Sequence, residues 1–124
     1  MTMAMERMRS IRFGLEMLDE IAHDTQMPPD VRQRAEAVLS HYPRPEQLAH
    51  LLTLGRAPLP LRCASALMDT RTLLMDVRRR PGATDATRTS ITVTLRHFPQ
   101  EPLIESLTRT ARLDEWFEPE ARDG

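Results

Sequence analysis

His41 and His97 stand in matching contexts, Leu39-Ser40-His41-Tyr42-Pro43 and Leu95-Arg96-His97-Phe98-Pro99. Two such imidazoles could share a metal or work as an acid–base pair. No carboxylate lies at a fixed spacing beside both, no His-x3-His occurs, and His23 and His50 add no ligand spacing. The favoured reading is structural: each histidine ends a helix, bonds its last carbonyls, and is followed by a packing aromatic and a helix-stopping proline. Cys63 is the only cysteine, which excludes an internal disulfide and a Cys-based zinc site. It falls at a predicted helix start beside Arg62, where a thiol pKa is lowered. A nucleophile also needs a base held against it, so a small core residue is the preferred reading. No serine sits in a G-x-S-x-G context, and four glycines supply neither a P-loop nor a G-x-G-x-x-G turn. The expectation is no enzymatic activity, no catalytic residue, no metal site and no cofactor.

All seventeen basic residues are Arg. Arg is the better bidentate ligand for phosphate or carboxylate, but these are spread along the whole chain, as a GC-rich coding sequence would spread them. Residues 57–100 carry seven Arg against Asp69, Asp76 and Asp85, a balance of +4. Residues 101–124 carry three Arg against seven acids, a balance of −4. Thr-Arg-Thr occurs at 70–72, 87–89 and 108–110. With Arg78, Arg79, Arg80, Arg88 and Arg109 it makes the second half the place for nucleic-acid contacts. A net charge of −1 and a pI near 6.4 argue against that use. Trp116-Phe117 lies in the acidic terminus. It could anchor a protein partner or fold back as a lid on the core.

These residues must be positioned by helices. One domain of 124 residues buries about two-thirds of its unfolded surface, and with five aromatics the core falls mainly to Leu, Ile, Val, Met and Ala. Met8, Ile11, Leu15, Leu18 and Ile21 or Ala22 predict a helix over residues 5–25. Val31, Ala35, Val38 and Leu39 predict one from Pro29 to His41, stopped before Pro43. Leu48, Leu51 and Leu52 predict a shorter helix after Arg44-Pro45, ending at Gly55. Residues 56–60 read as a linker. Ala64, Leu67, Met68, Leu74 and Val77 give a helix over about 61–79, and Leu103, Ile104, Leu107 and Ala111 one from Pro102 to about Leu113. No segment approaches a membrane span, and the N-terminus lacks a signal-peptide apolar run. The expected setting is the cytoplasm.

Residues 90–99, SITVTLRHFP, alternate like a strand. The halves decide otherwise. At an offset of 56, Ile11 meets Leu67, Leu18 meets Leu74, Ile21 meets Val77, Leu39 meets Leu95, His41 meets His97 and Pro43 meets Pro99. A copy of 32–42 at 88–98 should be helical, with Ile91, Leu95 and Phe98 on one face. A lone strand would leave its backbone unpaired. The expected fold is all-α: about six helices, as two diverged copies of a three-helix unit (about 5–55 and 61–113) around one core, with an acidic tail at 114–124.

The stretch Glu6-Arg7-Met8-Arg9-Ser10-Ile11, then Pro28-Pro29-Asp30-Val31-Arg32, then Ala35 to Leu39-Ser40-His41-Tyr42-Pro43, resembles a small uncharacterised family of proteobacterial helical proteins. Its members share an E-R-x-R start, P-x-x-V-R and A-x-x-L-x-H-Y-P. The likeness covers about residues 1–50. Asp69-Thr70-Arg71-Thr72-Leu73 and Val93 to Pro99 resemble a diverged second copy, with the first helix then offset by 62. Met8 and Met5 stand where the family tends to have Thr and Tyr. The resemblance implies an all-helical unit and brings no catalytic residue. The function expected is that of a small protein-interaction or regulatory protein, a reading that extends to mobile-element origin and inhibition of a host protein. Trp116 and Phe117 are its candidate partner contacts. A nucleic-acid-associated regulator is the alternative, and both a monomer and a homodimer stay open.

Overall fold

The computed structural model describes residues 2–54, 58–109 and 113–119. Six helices follow one another: α1 (Ala4–His23), α2 (Pro29–Leu39), α3 (Pro45–Thr53), α4 (Leu61–Arg79), α5 (Asp85–His97) and α6 (Glu101–Arg109), with a short 3-10 turn at Leu113–Glu115. Among the described residues there is no strand, and no helix is long and apolar enough to cross a membrane.

Proline sets several starts. Pro29 and Pro45 open α2 and α3, where a missing N–H costs nothing. Residues 90–97 form most of α5, not a strand. Thr84 caps it by accepting the Thr87 N–H at 3.1 Å. Ile91 and Thr94 face inward, and the Thr94 hydroxyl donates to the Ser90 carbonyl at 2.9 Å. That back-bond lets a β-branched polar residue sit buried in a helix. The helix stops at His97 because Phe98, which precedes Pro99, is extended.

Two boundaries differ from expectation. α2 ends at Leu39, with Ser40 and His41 in the turn that leads to Pro43. Among the described residues α6 covers Glu101–Arg109, and Leu113 belongs to a separate turn. Gly55 and Ala111 lie outside the described residues. The linker is not loose where it is described. Leu59 is buried, and its N–H donates to the Leu107 carbonyl at 2.9 Å.

α1 packs against α2 and α5, α4 packs against the same two helices, α3 lies on α1 and α6 on α4. This pattern is unchanged when α1, α2 and α3 are exchanged for α4, α5 and α6. The helices exchanged in this way start at 4 and 61, 29 and 85, and 45 and 101, which is closer to an offset of 56 than to one of 62. One core runs through the bundle and takes in Ile11, Leu18, Leu67, Leu74, Ile91 and Ile104.

The two aromatics of the repeated ending converge at Gly14 in α1. The buried Tyr42 hydroxyl donates to the Ile11 carbonyl at 2.6 Å. A Cβ at Gly14 would run into that hydroxyl and come within 2.9 Å of the Phe98 ring. Glycine is present because two rings occupy the space of its side chain.

Candidate functional site

The structure does not join the two histidines. His41 is exposed at the α2–α3 turn. The His97 imidazole does not bond the last carbonyls of α5, as expected of a capping histidine. Its Nδ1 lies 3.1 Å from Thr2 Oγ1 and 3.5 Å from Glu6 Oε2, at the start of α1. Glu6 also accepts the Met3 N–H at 2.9 Å, which holds its carboxyl below the usual value; desolvation opposes this and His97 adds to it. Among the described residues no group of three or more His, Cys, Asp or Glu gathers for a metal. Cys63 is 7% exposed, and burial pushes its thiol up against the pull of Arg62.

Trp116 and Phe117 fold back. Phe117 is 1% exposed, within the core, so its ring is taken up by this chain and is not offered to a partner. Trp116 is half-buried under the Arg7 guanidinium, 5.0 Å from the ring centroid, and Arg7 also donates to the Trp116 carbonyl at 3.4 Å. With few aromatics available, the core draws this pair in.

The five arginines do not form one face. Arg78 and Arg79 end α4 and Arg80 follows them in extended conformation; Arg88 lies beside them, but its guanidinium is already engaged. It donates to the Arg78 carbonyl at 3.2 Å and the Arg80 carbonyl at 2.9 Å. Arg88 thus closes the C-terminus of α4, whose last carbonyls lack helical partners. Arg78 lies 3.5 Å from the Thr92 hydroxyl. Arg109 pairs with Glu105 at 3.7 Å. The bond from Leu59 to Leu107 puts the end of α6 at the start of α4, so Arg109 lies a helix length away from Arg78. The first Thr-Arg-Thr has its Thr70 buried, bonded to the Ala66 carbonyl at 2.6 Å; Thr110 lies outside the described residues.

A groove of about 580 Å³ lies open between α1 and α5. Phe13, Met17 and Val93 make its apolar surface; Val93 is 43% exposed. Glu16, Asp19 and Glu20 line the α1 side, and Thr89 and Ser90 the α5 side. Steps of three and four place the carboxylates together along α1. Glu16 pairs with Arg12 at 3.0 Å, and the same guanidinium lies 4.9 Å from the Phe13 centroid. Asp19 lies 3.5 Å from His23 Nδ1. Among the described residues, Glu20 has no cationic partner. A smaller hollow lined by Met17, Glu20, Asp24 and Met27 continues the groove towards the α1–α2 turn.

Glu16, Asp19 and Glu20 fall between the stripe positions Leu15, Leu18 and Ile21, and the sequence by itself assigns them no role. The available signal was Phe13 and Val93, two large apolar residues off the inward faces of their helices. In comparisons with known proteins, no family, curated protein or solved structure matches this chain.

Proposed function

We propose that this chain is a small non-catalytic protein-interaction or regulatory protein that binds a host protein through the α1–α5 groove. The observation that carries the reading is the groove itself: an exposed Val93 and a half-buried Phe13 above a buried Met17, beside three carboxylates of which Glu20 has no cationic partner among the described residues. Apolar surface flanked by ordered charge is what a partner surface requires. The repeated ending, the offset of 56 and the exchangeable helix packing support two diverged copies of one three-helix unit. The motifs around Glu6, Val31 and Tyr42 support kinship with the proteobacterial family.

The acidic rim repels phosphate, and Arg88 is committed to α4. The nucleic-acid alternative therefore rests on Arg78, Arg79 and Arg80 alone. The test compares tagged wild type and Val93→Arg in nuclease-treated extract of the natural host. A stoichiometric protein companion lost with Val93→Arg is the expected result. Companions that vanish on nuclease treatment, or stay with Val93→Arg, would overturn the reading.

A further inference from the structure

The seam between α2 and α4 corresponds to that between α5 and α1 when the halves are exchanged, and the two are closed differently. At the α2–α4 seam, Arg34 reaches across to Asp76 at 3.2 Å. Fifty-six places along, Arg34 corresponds to Ser90, and Asp76 to Glu20. The carboxylate is kept and the guanidinium is replaced by a short hydroxyl. Ala37, on the exposed side of α2, corresponds to Val93. The α1–α5 seam therefore has a carboxylate without its arginine and an extra apolar side chain, and the groove opens at that place.

We infer that the groove takes a basic amphipathic helix from the partner, with an arginine of that helix seated between Glu20 and Ser90 as Arg34 is seated on Asp76. This rests on the proposed binding role of the groove. Charge complementarity selects a basic occupant, since the carboxylates line one long side. Arg12 already shows the contact, with one guanidinium both paired to Glu16 and set over the Phe13 ring. The walls select a helix. α1 and α5 use their own backbone groups internally, so an extended peptide would find no ladder of partners, whereas a helix satisfies its own. The occupant's apolar stripe meets Phe13, Met17 and Val93. Met17 at the floor can adapt to the side chain above it.

The test uses a displayed library of amphipathic helices of about four turns. It has a fixed apolar stripe and Arg, Glu, Ser or Ala at the flanking positions, and is selected against the full-length protein. Circular dichroism confirms that each protein variant is folded. Expected are enriched helices with Arg flanking the stripe. Their binding should fall at least tenfold with Glu20→Arg or Val93→Arg, stay unchanged with Glu46→Arg on α3, and return to Glu20→Arg when one flanking Arg becomes Glu. Enrichment of acidic or neutral helices, no enrichment, or equal losses with Glu46→Arg would overturn the inference. So would a dimer of this chain that Val93→Arg dissociates, because the groove would then hold a second copy. If the host companion is lost with Val93→Arg while the library yields no basic helix, the binding role stands and the assignment of its occupant falls.

Discussion

At the α2–α4 seam an arginine and an aspartate face each other across two helices. At the α1–α5 seam the corresponding positions hold Ser90 and Glu20, and a groove lies open between them. The repeated endings differ in the same way. Tyr42 both packs and bonds to the Ile11 carbonyl, whereas Phe98 only packs; His41 is exposed, whereas His97 is drawn to Thr2 and Glu6. Some core positions keep their character across the halves, as Ile11 and Leu67, Leu18 and Leu74, and Tyr42 and Phe98 do, while others do not, as buried Val31 and Ala22 correspond to Thr87 and Arg78. The lesson is that two similarly arranged sets of three helices can close their seams differently, one with an ion pair of the chain's own and one with an open groove.

The largest effect should come from the shared frame. Phe98→Ala removes a ring buried against Gly14 and should lower stability by about 3–5 kcal/mol, read by denaturant unfolding. A loss below about 1 kcal/mol would mean that the second ending does not anchor the core as the first does. Gly14→Ala comes next. Helix propensity alone would favour it by about 1 kcal/mol, but the new methyl meets both rings, and overpacking costs about 1–3 kcal/mol. A net loss is expected, smaller in a Tyr42→Phe background where the nearest oxygen is gone. A gain in stability would show that the rings have room to move.

How much of this was legible in the sequence depended on the range of the signal. Helix existence was mostly local: apolar spacing and proline positions placed five of the six. Residues 90–99 were ambiguous locally, because Ile91, Thr92, Val93 and Thr94 prefer strands, and only the missing strand partner and the other half resolved them. The groove was not legible. It depends on how α1 and α5 are rotated against each other, which turns Phe13 and Val93 towards a common space. The role of Arg88 at the end of α4 was not legible for a similar reason. Its sequence neighbours are basic, but its guanidinium is used on α4 carbonyls eight and ten residues away. Trp116-Phe117 could be read as anchor or lid, and the demand of an aromatic-poor core decided for the lid.

Smaller effects sharpen the contrast between seams. Arg34→Ser makes the closed seam resemble the open one. With both partners about half exposed, the stability loss should be only about 0–1 kcal/mol and should shrink in high salt. A larger, salt-insensitive loss would mean that the pair holds the bundle together. The smallest effect lies at the His97 end. Because the Glu6 carboxyl is lowered by the Met3 N–H, its contribution is present above the ordinary carboxylate value of about 4.3. That contribution is lost as pH falls through the lower folded value. Glu6→Gln should flatten part of the acid limb of a stability–pH curve; an unchanged limb would remove Glu6 from the acid response.

The most direct measurement is the affinity of Ser90→Arg for the host companion or a selected basic helix. This substitution gives the α1–α5 seam the arginine that the α2–α4 seam already has. The account predicts an unchanged fold, a new contact to Glu20 and loss of binding, because the chain then fills the place kept for the partner. Wild-type affinity in a folded Ser90→Arg protein would contradict it.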